Sequence, residues 1–319
     1  MKAAIIKGPN QIPVYGDFKE PIAQAGYELI TVTSAALTHL TKGRADGSHY
    51  SSSDIYPFVV GVDGVGRNAS GQRLYFVKPT APFGGMAEKV LVRTENCIPL
   101  PDGLDDVTAA GIANPGMSSM AALKFRAALK TGETVLVNGA TGIAGKLAVQ
   151  IAKHLGAKKI IATGRDIASL QKLKTLGADI TINLTLEPER LEEAFVEQIR
   201  NGGVDVVLDY LYGKSAEILL TTLAKNSDED SPIRYVNIGS GAGQEISLPS
   251  AILRAIPITL MGSGLGSVAS SDLITAISDV METVIPGKLE IETTAVPLAD
   301  VEKSWNADFG KSRVVFVVK

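Results

Sequence analysis

The spacing of apolar and polar positions changes rhythm along the chain. Over the first hundred residues, short apolar or alternating runs (2–7, 28–35, 59–65, 73–77 and 87–92) are separated by turn-forming clusters such as Gly8-Pro9-Asn10 and Ala69-Ser70-Gly71. Such runs predict β-strands, and their spacing predicts a small barrel-like domain. The rhythm then lengthens. A helix is expected after Pro101-Asp102-Gly103, with Asp105-Asp106 as cap and first turn, a break at Asn114-Pro115-Gly116 and a second helix over 117–129. Beyond it, helices at 146–155, 167–176, 187–200, 215–224 and 251–254 alternate with strands at 135–137, 159–163, 179–182, 204–209, 234–238 and 256–261. That alternation predicts a parallel, doubly wound α/β sheet. A helix at 271–284 closes this section, and strand-like runs at 288–296 and 313–318 return to the first domain. The expected domains are 1–118 with 288–319, and 119–287.

The centre of this pattern is the stretch from Thr134 to Asp166, one strand–turn–helix–strand unit. Its turn, Ala140-Thr141-Gly142-Ile143-Ala144-Gly145, has the spacing of a dinucleotide-binding fingerprint, with Ala140 at the place of the first glycine. Gly142 would let the backbone approach a pyrophosphate, and Gly145 would let the helix pack close to the strand. The free N–H groups and positive dipole end of the following helix face that phosphate. About 20 residues past the glycines, a carboxylate would accept from a ribose 2′-hydroxyl and mark NAD. This chain has Gly164-Arg165-Asp166 there. A guanidinium at Arg165 matches a 2′-phosphate and predicts NADPH. Asp166 either faces a ribose hydroxyl or caps the helix that begins at Ile167.

Composition narrows the classes. A chain of 319 residues with 45% hydrophobic and 20% charged positions suits two soluble globular domains. A net charge of −3 supplies no basic patch for nucleic acid, and no apolar stretch is long enough to span a membrane. The N-terminus lacks the pattern of a signal peptide, so a cytoplasmic protein is expected. Cys97 is the single cysteine, which excludes an intrachain disulfide, and Asn96-Cys97-Ile98-Pro99 reads as a strand end holding an inert thiol. The apolar run 257–261 would lie at the edge of the parallel sheet, where it invites pairing with a second copy, hence a homodimer.

Taken with Gly61-Val62-Asp63-Gly64-Val65-Gly66 and Pro99-Leu100-Pro101-Asp102-Gly103-Leu104 followed by Ala109-Ala110, the glycine turn gives a recognisable order of motifs. It resembles the medium-chain dehydrogenase/reductase superfamily, and within it the zinc-independent quinone oxidoreductase and enoyl reductase branch. The resemblance implies a GroES-like β-barrel catalytic domain interrupted by a Rossmann domain. Zinc-using relatives carry Gly-His-Glu where this chain has Gly61-Val62-Asp63, and their first cysteine ligand falls near Thr38. His39, His49 and His154 have no ligand spacing of a recognised kind, so a metal-free protein is expected.

Without a Lewis acid, reduction of a quinone or of a conjugated C=C is easier to support than alcohol dehydrogenation. The resemblance offers Tyr50, in Gly47-Ser48-His49-Tyr50, as substrate contact and proton donor; His49 is a second donor or a solvated loop residue. Asn114 either bonds substrate or cofactor or shapes the turn. Fold logic adds the carboxyl ends of the later strands, with Tyr210, Gly239, Ser240 and Ser263, to the cofactor set of Asn138, Ala140, Thr141, Gly142, Ile143, Gly145, Gly164 and Arg165. The substrate pocket is expected from Tyr50, the Ser51-Ser52-Ser53 loop and residues 263–268, and no aromatic cluster announces a ring-shaped ligand. Rival readings are a ketone or aldehyde reductase, and an NADPH-binding redox sensor without turnover.

Overall fold

In the computed structural model, which describes residues 1–48, 52 and 55–319, the chain divides into two units: 1–114 with 277–319, and 115–276. In the first unit, β1 (Lys2–Ile6) pairs antiparallel with β2 (Val14–Asp17). The unit's other sheet is organised by the ten-residue β3 (Tyr27–Ala36), in which Ile30 and Val32 point into the core and Thr31 is exposed. After β3, Thr38 caps α1 (His39–Asp46) by accepting from the Thr41 N–H at 3.0 Å, and Gly47 ends the helix at φ 83°. The hydrophobic pattern gave no sign of this helix. It has no apolar stripe, and its legible signals are the cap and the terminal glycine.

The single strand expected over 59–65 is two strands, β4 (Phe58–Val59) and β5 (Asp63–Arg67). Between them Gly61 takes φ 106°, and a side chain there would meet the Met86 N at 2.7 Å, so the chain must turn away. β4 joins β1, whereas β5 joins β3 and β6 (Arg73–Val77). β7 (Lys89–Arg93) pairs with the first half of β3, and β8 (Cys97–Pro99) pairs with β6. Asp106 then ties the start of α2 (Asp106–Ala121) to this sheet, accepting from the Arg73 guanidinium and the Thr33 hydroxyl, each at 2.6 Å.

The break expected at Asn114-Pro115-Gly116 does not occur: Pro115 lies inside α2. Proline removes only one helical N–H, and its own carbonyl accepts from the hydroxyls of Ser118 at 2.8 Å and Ser119 at 3.2 Å. The helix ends in a wider turn over Ala122–Arg126, closed by Ala127 N–H donating to the Ala122 carbonyl.

The second unit holds a six-stranded parallel sheet. Its strands are β9 (Thr134–Asn138), β10 (Lys159–Gly164), β11 (Ile180–Asn183), β12 (Val206–Asp209), β13 (Ile233–Asn237) and β14 (Ile258–Gly262), in the order β11-β10-β9-β12-β13-β14. β9 and β12 are buried along their whole length, which is why they read as continuous apolar runs. The connecting helices are α3 (Ile143–His154), α4 (Ile167–Thr175), α5 (Pro188–Arg200), α6 (Lys214–Asn226) and α7 (Ile252–Ala255). α5 shows how the pattern works: Pro188 opens it, and Leu191, Phe195 and Ile199 recur every fourth residue on the buried face. β14 takes the sheet edge expected of it.

After α8 (Ser270–Val284), β15 (Thr293–Pro297), α9 (Val301–Ser304) and β16 (Arg313–Val317) complete the first unit, with β16 inserted between β15 and β3. Trp305 is buried beside Phe316, Ile6 and Ala4, a packing role. No helix among the described residues is long and apolar enough to cross a membrane.

Candidate functional site

The strand order reverses between β9 and β12, and the ends of the neighbouring strands lie in register there. Asn138 stands beside Asp209, Asp209 beside Asn237, and Asn237 beside Gly262. Such a reversal opens a crevice beyond the carboxyl ends, where open α/β sheets bind ligands.

The glycine turn leaves β9 at this point. A methyl on Gly145 would lie 2.6 Å from Ala140 Cα, so only glycine lets α3 pack this close to the turn. At Gly142 the opposite holds: the nearest protein atom to an added methyl is 4.0 Å away, and the residue is exposed. Gly142 is also the N-cap of α3 and supplies no side-chain cap, so the helix's first N–H groups lack a side-chain partner there. An open backbone at an uncapped helix start fits the pyrophosphate of a dinucleotide.

A buried polar network fixes the turn. The Asn138 amide donates to Asp209 Oδ1 at 2.9 Å and to the Ser215 hydroxyl at 3.1 Å, and its oxygen accepts from the Thr163 hydroxyl at 2.8 Å. That hydroxyl in turn accepts from the Gly139 N–H at 3.1 Å. Asp209 Oδ1 also accepts from the N–H groups of Leu211 and Tyr212, both at 3.0 Å, while Oδ2 accepts from the Tyr235 hydroxyl at 2.6 Å. Four donors therefore offset the desolvation of one carboxylate. Burial, then the charge of Asp209, pushes the Tyr235 phenol well above its ordinary range and keeps it a donor.

The expected cofactor residues fall into two groups. Asn138 is fully buried with its amide engaged in this network, and Ala140 is buried with its N–H on the Thr163 carbonyl at 2.8 Å. Gly164 is buried too, and a methyl there would collide with the Thr141 side chain. These residues shape the turn and offer no side chain outward. Thr141 and Ile143 are half-buried, and Gly142 and Arg165 are exposed. Arg165 makes no hydrogen bond or ion pair with any described residue, whereas Asp166 caps α4 by accepting from the Ser169 N–H at 2.6 Å. Capping is thus one role that Asp166 fills.

Farther along the edge, the half-buried Tyr210 has its hydroxyl 2.8 Å from the Ser119 hydroxyl, and burial raises its pKa to about 12. Gly239 N–H donates to the Asp209 carbonyl at 3.2 Å, Ser240 is exposed, and Ser263 N–H donates to the Asn237 carbonyl at 2.8 Å. Asn114 lies within α2, half-buried, its amide without a partner among the described residues. Tyr50 and His49 lie outside the described residues. Sequence reasoning missed Thr163, Ser215 and Tyr235; the acid ending the apolar strand Val206-Val207-Leu208-Asp209 was the available signal for the network.

The first unit carries a pocket of its own, about 360 Å³ in volume. Thr41 and Arg44 of α1, Phe58 of β4, Val62, Phe83 and Lys19 contribute to its wall. Val62 stands where zinc-using relatives carry histidine, and Thr38, near their cysteine position, is buried with its hydroxyl 2.9 Å from that of Thr41. Among the described residues no cluster of three or more His, Cys, Asp or Glu side chains forms a metal-ligand set. Cys97 is half-buried, and burial raises its thiol to about 12, so it stays protonated.

Comparison with known proteins agrees with this arrangement. Residues 144–282 match the family model described as zinc-binding dehydrogenase. A probable NADPH-dependent quinone reductase of Emericella nidulans is 28% identical, over 99% of this chain and all of that protein. The human quinone oxidoreductase is 28% identical over 75% of this chain and 72% of its own. A quinone oxidoreductase of Thermus thermophilus, solved alone and with NADPH, is 27% identical with a TM-score of 0.80, covering 99% of this chain and 100% of that one. These likenesses support a place in the medium-chain dehydrogenase/reductase superfamily, in its quinone oxidoreductase branch.

Proposed function

We propose that the protein is an NADPH-dependent oxidoreductase that reduces quinones or the C=C bond of α,β-unsaturated carbonyls, without zinc, as a cytoplasmic homodimer. The observation that carries this reading is the contrast within one turn. Gly145 has no room for a methyl, whereas Gly142, three residues earlier, faces open space at the uncapped start of α3. The named activities of the Emericella and Thermus relatives support the reductase class and the cofactor.

Bound NADPH supplies a hydride to the substrate. The chain's own residues do the rest. The Gly142 backbone and the first N–H groups of α3 hold the pyrophosphate, and Arg165 pairs with the 2′-phosphate. The Asn138–Asp209–Tyr235 network keeps the turn in place. The half-buried Asn114 amide is a candidate hydrogen-bond donor to substrate or cofactor. In the first unit, the pocket lined by Thr41, Phe58, Val62 and Phe83 takes the substrate. Tyr50, with His49 as alternative, donates the proton that completes reduction. Valine at 62 and threonine at 38 leave two family zinc-ligand positions without a histidine or cysteine, which supports a zinc-free site. The edge position of β14 supports the homodimer.

The test is anaerobic oxidation of NADPH and of NADH, followed in parallel against 1,4-quinones, enones, enals and saturated aldehydes. NADPH oxidation with quinones or enones is the expected result. Turnover confined to saturated aldehydes would replace this reading with a carbonyl reductase, and binding without turnover of any acceptor would replace it with a sensor.

A further inference from the structure

The described residues that line the pocket of the first unit carry charge of one sign. Its wall is mostly apolar, with Phe58 and Phe83 among its side chains, and its described residues include two cations, Arg44 and Lys19, and no carboxylate. Arg44 is half-buried and makes no ion pair or hydrogen bond among the described residues, and the exposed Lys19 makes none either. A cation in the last turn of α1 is favoured by the helix dipole wherever its side chain points. The dipole does not account for a half-buried guanidinium in the wall of an apolar pocket with no anion opposite it among the described residues. A group of that kind is normally paired or hydrogen-bonded, because part of its hydration is lost. Small-molecule sites combine an apolar lining with a few polar groups that fix orientation, and they span about 300–1,000 Å³. At about 360 Å³ this pocket lies at the small end of that range and suits a compact ring system.

We propose that this pocket binds a compact aromatic or quinonoid ring carrying an anionic substituent, with Arg44 as the principal anion contact and Lys19 as a weaker one at the rim. The inference rests on the reductase reading and names its substrate class: acidic quinones, in which a carboxylate, sulfonate or phosphate directs the ring into the pocket. Arg44 is here a specificity-determining residue and takes no part in proton or hydride movement. Its planar fork suits two oxygens of the anion at once.

Two measurements test this. In the first, KM is determined at saturating NADPH for 1,4-naphthoquinone-2-sulfonate and for uncharged 1,4-naphthoquinone, in wild type, Arg44→Gln and Lys19→Ala. The sulfonate is expected to have a KM at least tenfold lower than the neutral quinone in wild type. Arg44→Gln should remove that preference and Lys19→Ala reduce it two- to threefold, because exposed charges are screened. A wild-type ratio near one, or an equal ratio in Arg44→Gln, overturns the proposal. In the second, calorimetry follows 2-naphthalenesulfonate, which cannot be reduced, binding to the full chain. Binding weakened at least tenfold by Arg44→Gln supports the pocket; no binding, or binding indifferent to Arg44, overturns it. Sulfonate binding without turnover of any quinone would sink the reductase reading while leaving the pocket's charge selectivity standing. Turnover without charge discrimination would do the reverse.

Discussion

The Tyr75 hydroxyl donates to Asp63 Oδ2 at 2.7 Å, and both side chains are almost wholly buried. Burial pushes the Asp63 carboxyl from 3.8 up to about 6, opposed by the Tyr75 hydrogen bond and the charge of Arg313. Among the described residues, Asp63 Oδ1 and Arg313 Nε have no hydrogen-bond partner. The Tyr75 phenol is raised well above its ordinary range by the same burial and then by Asp63, so it remains a donor.

The sign of the pH dependence follows. Between about pH 4 and pH 6 the folded chain holds a proton on Asp63 that the unfolded chain has released. Stability from this group is therefore full below 3.8 and is lost as pH rises through about 6. The change is about 3 kcal/mol, since one decade of acidity corresponds to about 1.4 kcal/mol. Asp63→Asn should remove it, so the variant gains about 3 kcal/mol relative to wild type between pH 4 and pH 7.5. Urea unfolding followed by fluorescence of Trp305, the single tryptophan and buried in the same unit, measures this difference. A constant difference across that pH range would show that Asp63 titrates normally.

Gly145 and Gly142 should separate stability from binding. Gly145→Ala places a methyl 2.6 Å from Ala140 Cα, against backbone on the opposite side that cannot yield cheaply. A loss of about 1–3 kcal/mol is expected, visible as a lower thermal midpoint. Gly142→Ala meets nothing closer than 4.0 Å, and its φ of −77° suits alanine. Its stability should stay within about 0.5 kcal/mol of wild type. NADPH affinity should nevertheless fall at least tenfold, because the methyl occupies the space assigned to pyrophosphate. Unchanged affinity in Gly142→Ala, measured by fluorescence titration, would mean that the dinucleotide does not pass over this turn.

How much of this was legible beforehand depends on how local each signal is. The parallel sheet was readable almost strand by strand, since buried strands such as 134–138 are continuous apolar runs bounded by turns. The strand 73–77 was placed to the residue. α3 begins three residues earlier than expected, at Ile143, because Gly145 belongs to the helix and breaks nothing there. β15 begins only at Thr293, five residues after the run that announced it. α1 was invisible to periodicity because Thr41 and Ala45 are its only buried residues. The pocket was not readable, since α1, β4 and the loops around Val62 and Phe83 meet only in three dimensions. The same holds for the Asn138–Asp209 pairing, which joins residues 71 positions apart.

Tyr50→Phe tests the proton donor. Removing a general acid costs about 10²- to 10⁴-fold in turnover when that group moves the proton in the transition state. The expected result is at least a hundredfold fall in kcat with an enone substrate, and an NADPH dissociation constant within twofold of wild type. If kcat holds, the role passes to His49, and His49→Gln should then show the loss.

Arg165 is the residue proposed to select the cofactor. The side chain is exposed at the end of β10 and makes no hydrogen bond or ion pair with any described residue. Asp166 beside it already accepts from the Ser169 N–H as the cap of α4. In NADPH the 2′-phosphate brings charge that a guanidinium can meet with paired hydrogen bonds, whereas NADH presents only a hydroxyl. Arg165→Ala should thus raise the NADPH dissociation constant about 10- to 100-fold, the effect of losing about 1.4–2.8 kcal/mol. The NADH constant should move less than threefold. Because the contact is between charges at an exposed site, wild-type preference for NADPH should also shrink as salt is raised, and the variant's residual preference should respond less. Equal weakening of both cofactors would instead assign Arg165 to the shape of the β10–α4 turn. In that case the phosphate would have to be read by another cation.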